Sequence, residues 1–140
     1  MLAMLDLPSR KYLNLAAIKK LAAAAEAEAE NLRVKVTICI MDESANVLFL
    51  QKADGVSLNT LQFAQKKARH AAIYGRPSGT AEDNLKAGNT AQLAYPDAFP
   101  NRGGVPILVD GQVIGSISAS GAPSEVDEAI AQAAIDALLK

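Results

Sequence analysis

The chain carries one imidazole, His70, and one thiol, Cys39, in 140 residues. A single histidine with no cysteine pair gives no zinc-type ligand spacing, so no metal centre is expected. Any serine, histidine and carboxylate triad would have to run through His70 itself. Cys39 can close no intrachain disulfide, and it reads as a small packed hydrophobe because a reactive thiol needs a cation beside it. His70 is placed more informatively. At 100° per residue along a helix, Phe63, His70 and Tyr74 fall together, with Lys66 and Lys67 nearby. They lie away from the apolar stripe Leu58, Leu61, Ala64, Ala68, Ala71 and Ala72. A second, aromatic face on a surface helix suits a partner subunit or a planar ligand. An ordinary exposed or half-buried histidine is the alternative.

Glycine loops are the other candidates. Asp54-Gly55 and Gly103-Gly104-Val105-Pro106 abut strand ends, where backbone amides can approach a ligand closely. Ser120-Gly121 lies between a strand and the last helix, where amides at a helix start hold an anion or the turn only reverses the chain. No G-x-x-x-x-G-K-[ST] run occurs, and no G-x-G-x-x-G links a strand to a helix, so nucleotide binding lacks its usual support.

The elements that must position these residues are readable from periodicity. Asn14 reads as the N-cap of a helix over Leu15 to Asn31, with Leu15, Ile18, Ala22, Ala25, Ala29 and Leu32 on one stripe. Val34 to Met41 alternates as a strand, with Val34, Val36, Ile38 and Ile40 on one face and a semi-polar second face. The turn formers Asp42 to Asn46 pair it with Val47 to Gln51. Ser57 to Tyr74 is the second long helix, stopped by Gly75-Arg76-Pro77. From Pro77 to Pro100 irregular structure is expected around one short helix capped by Thr80. Gly104 to Val109 and Gln112 to Ser118 flank Asp110-Gly111, a strong hairpin signal. Ser124-Glu125-Val126-Asp127 opens a closing helix whose stripe is Val126, Ile130, Ala133, Ala134, Ala137 and Leu138. Hairpins separated by helices predict an α+β fold, an antiparallel sheet with segregated helices, in a single domain over 1–140.

Composition sets the outer bounds. Half the residues are apolar and 21% are charged, which is the profile of a globular chain. A net charge of −1, no Trp, three Tyr and three Phe argue against a dedicated nucleic-acid binder. No uncharged apolar run approaches the roughly 18 residues of a membrane span. The start, Met1 to Asp6, lacks a basic segment followed by an apolar one, so no secretory signal is read and a cytoplasmic address is expected.

Taken together, several runs resemble the GlcG/HbpS family over nearly the whole chain. They are Lys67-Ala68-Arg69, Tyr74-Gly75-Arg76-Pro77-Ser78, Gly103-Gly104-Val105-Pro106, Asp110 through Gly121, and Asp127-Glu128. Relatives of that kind include haem-binding proteins, small proteins of glycolate and diol-utilisation operons, and the C-terminal domain of PduO-type corrinoid adenosyltransferases. The resemblance implies a profilin-like sandwich that forms homo-oligomers up to octamers, with a small-molecule ligand bound near a subunit interface. Haem, a corrinoid or a small anionic metabolite is the expected ligand, the first two favoured by resemblance alone. It also implies a pocket lined by Asp54, Lys67, Arg76, Gly103 and Gly104, with Lys67 or Arg76 anchoring a carboxylate or propionate. His70 and Tyr74 join that list as candidate ligand-facing residues. The competing expectation is an enzyme acting on a small carboxylated catabolic intermediate, Lys67 holding negative charge and Asp54 moving the proton.

Overall fold

Asn14 begins the first helix, its side-chain oxygen accepting the Ala17 amide at 2.9 Å and so satisfying one of the free donors of the first turn. The computed structural model describes residues 5–140; Met1 to Met4, part of the segment read for a secretory signal, lie outside the described residues. The order is α1 (Leu15–Asn31), β1 (Thr37–Asp42), β2 (Val47–Lys52), α2 (Asn59–Tyr74), α3 (Ser78–Lys86), a 3-10 turn (Thr90–Ala94), β3 (Gly104–Val109), β4 (Gln112–Ser120) and α4 (Ser124–Leu139).

The four strands form one antiparallel sheet in the order β2-β1-β4-β3, so the expected α+β fold is observed. Both hairpins form where their turn residues require. Asp42 closes the first by accepting the Ser44 and Asn46 amides, each at 2.9 Å. In the second, Asp110 and Gly111 take φ of 53° and 76°, the positive values a tight hairpin turn needs at both central positions.

Because side chains alternate along a strand, each face of the sheet has its own core. On one side Ile38, Ile40, Val105, Ile107, Ile117 and Ala119 pack under α1 and α4 with Leu21, Ala25, Ile130 and Ala134. Burying a side chain such as Ile40 stabilises the fold by roughly 1.5–3 kcal/mol. On the other side Cys39 and Met41 meet Ala64, Ala68 and Ala72 of α2. There β4 contributes hydroxyls: Ser116 donates to the Ala68 carbonyl at 2.7 Å and Ser118 to the Ala64 carbonyl at 2.5 Å. Small side chains bring α2 close enough for those bonds.

Several expectations shift. The second face of β1 is fully covered, with Thr37, Cys39 and Met41 all buried, because α2 lies over it. The strand itself starts at Thr37. α2 starts at Asn59, and Leu58, counted in its core stripe, is 77% exposed. α3 starts at Ser78 after Pro77, so Thr80 sits inside the first turn and does not cap it. β4 runs on to Ser120.

Candidate functional site

Lys67 leaves α2 beside the entry to β3 and reaches across the edge of the sheet to α4. Its ammonium, with a side chain 2% exposed, lies 3.0 Å from Asp127 Oδ2 and donates to the Ala119 carbonyl at 3.1 Å. The other Asp127 oxygen accepts the Ala122 amide at 3.0 Å. Burial pushes the Asp127 carboxyl above the ordinary carboxylate range, against the pull of Lys67 and of the Ala122 and Gly121 amides. Gly103 and Gly104 make this crossing possible. A Cβ on Gly103 would stand 2.8 Å from the Lys67 Nζ, and one on Gly104 would collide with the Lys67 carbonyl. These glycines admit the lysine and its helix, and neither lines the cavity that His70 borders.

Further along α2, the aromatic face is covered by the chain itself. Residues 95–99 cross over it and are tied down by polar contacts from neighbouring turns. Arg69 pairs with Asp97 at 2.8 Å, the Phe99 amide donates to His70 Nδ1 at 2.8 Å, and the Tyr74 hydroxyl donates to the Pro96 carbonyl. Phe63 meets Phe99 edge to face at 5.3 Å, and the rings of His70, Tyr74 and Tyr95 follow one another at 4.9 and 6.5 Å. The face expected to await a partner is therefore occupied within one chain.

Below this strap lies a cavity of about 260 Å³ walled by His70, Tyr74, Arg76, Thr80, Gln92 and Tyr95, with Asn84 and Asn89 at its side. His70 is 5% exposed and Gln92 8%. With its Nδ1 accepting a backbone N–H, the neutral imidazole carries its proton on Nε2. Burial lowers the His70 pKa, which keeps the ring in that neutral form. Neither Nε2 nor the Gln92 amide has a partner among the described residues, where no polar side-chain atom is both unpartnered and sealed from solvent. Both residues line the cavity, and neither group is sealed from solvent. Arg76, on the Gly75 turn that ends α2, joins no ion pair among the described residues, and no carboxylate lines the wall.

The predicted residues thus separate. His70, Tyr74 and Arg76 share one cavity. Lys67 borders another, with Asp127 and Ser120, and Asp54 borders a third, open groove with Glu26, Glu30, Lys35 and Lys52. Within one chain Asp54 and Lys67 do not meet. Cys39 is fully buried, and burial pushes its thiol up to about 12, which leaves it inert. Sequence reasoning missed Gln92, which carries no local signal in an otherwise exposed turn. It also missed the role of Asp127, although an acid three residues after Ser124 marked the helix start.

A haem implied by the resemblance can be tested against the side chains that ligate its iron: His, Cys, Met and Tyr. His70 offers Nε2 only with its proton attached, because Nδ1 is engaged by Phe99. Cys39 and Met41 are buried in the core under α2 and the Tyr74 hydroxyl is committed to Pro96, which leaves the Tyr95 hydroxyl as the candidate ligand on this wall. The His70 cavity also falls below the roughly 300–1,000 Å³ of drug-sized ligand sites, and a tetrapyrrole is larger than those ligands. Within one chain the His70 cavity does not fit haem.

Comparison with known proteins gives the wider frame. Residues 13–136 match the family described as haem degrading protein HbpS-like. Protein GlcG of Escherichia coli K12 is 34% identical over 98 residues, 70% of this chain and 73% of that protein. An uncharacterized 15.0 kDa protein from the dhaT-dhaS intergenic region of Citrobacter freundii is 30% identical over 131 residues, 89% of this chain and 90% of its own length. Among solved structures, HbpS superposes with a TM-score of 0.85 at 28% identity, covering 99% of both chains. A PduOC:heme complex gives 0.83 at 26%, covering 91% of this chain and 95% of the other. The match over residues 13–136, with the likeness to GlcG and to HbpS, places the chain in the HbpS-like family.

Proposed function

We propose that this chain is a small-ligand-binding protein and that its site is the cavity under the 95–99 strap. One observation carries the reading: His70 Nε2 and the Gln92 amide, on residues more than nine-tenths buried that line the same cavity, lack partners among the described residues. Neither group is sealed from solvent, so water meets both in the free protein and a ligand that reproduces those bonds can displace it. A thermal-shift screen with small neutral, cationic and anionic compounds tests it. We expect at least one class to raise the melting temperature of the wild type and to lose that effect in Gln92→Leu. A screen without any such compound would count against the cavity as a site.

The solved PduOC:heme complex favours a second reading, haem held on an open surface or between copies. Titration with haemin tests it through the Soret band. A shift that persists in His70→Asn would support it, and an unchanged band would remove it. An acid-base enzyme using Asp54 and Lys67 needs a second copy to bring the two together. The family resemblance supports assembly into homo-oligomers. Sedimentation at micromolar concentration checks that assembly, a 14.6 kDa species speaking against it.

A further inference from the structure

We infer that the His70 cavity selects a compact oxyanion, a carboxylate on a short carbon chain or an inorganic phosphate, and this rests on the reading of the cavity as the ligand site. The donor inventory of the walls points there. The Phe99 amide occupies His70 Nδ1 at 2.8 Å, so Nε2 is the donor nitrogen of a residue that lines the cavity. Asn89 uses its Oδ1 to accept the Ala91 amide at 3.2 Å, leaving its NH₂ as a second donor. The Gln92 amide adds a third, and Arg76 brings a full positive charge in a planar fork that matches two oxygens at once.

Negative charge is held away from this wall. Of the nearby carboxylates, Glu82 and Asp83 are engaged by Arg102 at 3.3 and 2.5 Å, and Asp97 is engaged by Arg69 at 2.8 Å. A cation would meet Arg76 and find no carboxylate. A neutral ligand would leave that charge unanswered. Size narrows the class further, because about 260 Å³ corresponds to about nine waters at roughly 30 Å³ each. The rings of Tyr74 and Tyr95 give a short apolar wall for a chain of two to four carbons.

The chain holds one histidine, so a protein labelled in histidine reports this cavity with a single imidazole signal. The probes are propionate, inorganic phosphate, propionamide and propylammonium. We expect propionate or phosphate to move the His70 Cε1–H resonance saturably at millimolar concentration, with propionamide and propylammonium at least tenfold weaker. Which of the two anions binds identifies the source of the oxyanion. Arg76→Gln, an exposed position whose exchange should leave the melting temperature unchanged, should weaken the anion tenfold or more and leave the response to propionamide as it was. Propionamide or propylammonium matching the anions would overturn the oxyanion assignment and leave the cavity standing as a site. A signal unmoved by every probe would overturn both.

Discussion

A lysine ammonium and a carboxylate buried together cost much to desolvate and hold only while both are present. For Lys67 and Asp127, with side chains 2% and 3% exposed, we expect Lys67→Met or Asp127→Asn alone to lose about 3–5 kcal/mol of unfolding free energy in urea. The Lys67→Met/Asp127→Leu double variant should recover most of it. Equal losses that simply add would show that the two residues do not act as a pair. His70 supplies a second prediction. Its folded pKa is lowered by burial, so its contribution is complete above the unfolded value near 6.5 and is lost as pH falls through the folded one. His70→Asn keeps an acceptor for Phe99 and removes the titration. Between pH 7 and 5 the wild type should lose stability relative to that variant, whereas the contribution of Asp127, raised and opposite in sign, cancels in the difference. Parallel stability curves would contradict this. At this scale residue type was legible and surroundings were not: His70 and Lys67 stood out in the sequence, but what covers them comes from residues 95–99 and from Asp127, far along the chain.

Among the elements, boundaries set by a local cap or turn were the most legible. The Asn14 cap and the Asp110-Gly111 turn act within a few residues, so α1 and the second hairpin follow directly from the sequence. The extent of β1, the burial of its second face and the covering of α2 depend on contacts across the fold, which periodicity does not encode. Gly103-Gly104 shows the same limit, since a glycine loop suited to a ligand and one suited to a crossing helix look alike in sequence. Gly104→Val should therefore lower the melting temperature sharply rather than affect ligand uptake alone, and an unchanged transition would argue that α2 can shift to make room. α3 offers a test of how elements are held. Arg102 joins it to α4 through Glu82, Asp83, Glu128 and the Gly79 carbonyl. Arg102→Gln should speed amide hydrogen exchange across Ser78–Lys86 while α1 keeps its protection. Uniform exchange across both helices would show that the clamp is not local.

The whole molecule consists of a sheet with α1 and α4 on one side and α2 on the other. That layering was legible because hairpins alternating with amphipathic helices leave few arrangements that bury both sheet faces. Family membership followed from the same runs of residues. The site was not legible at this scale, because it arises where two helices, α2 and α3, meet a 3-10 turn and the start of an irregular strap, and only the folded chain brings Gln92 and Arg76 to His70. Everything proposed for that site depends on one proton. Nitrogen-15 NMR of the single imidazole in the ligand-free protein at pH 7 locates it directly. We expect a neutral ring with its proton on Nε2 and Nδ1 accepting from the Phe99 amide; a neutral ring with its proton on Nδ1 would take the donor from the cavity wall and contradict the site as proposed.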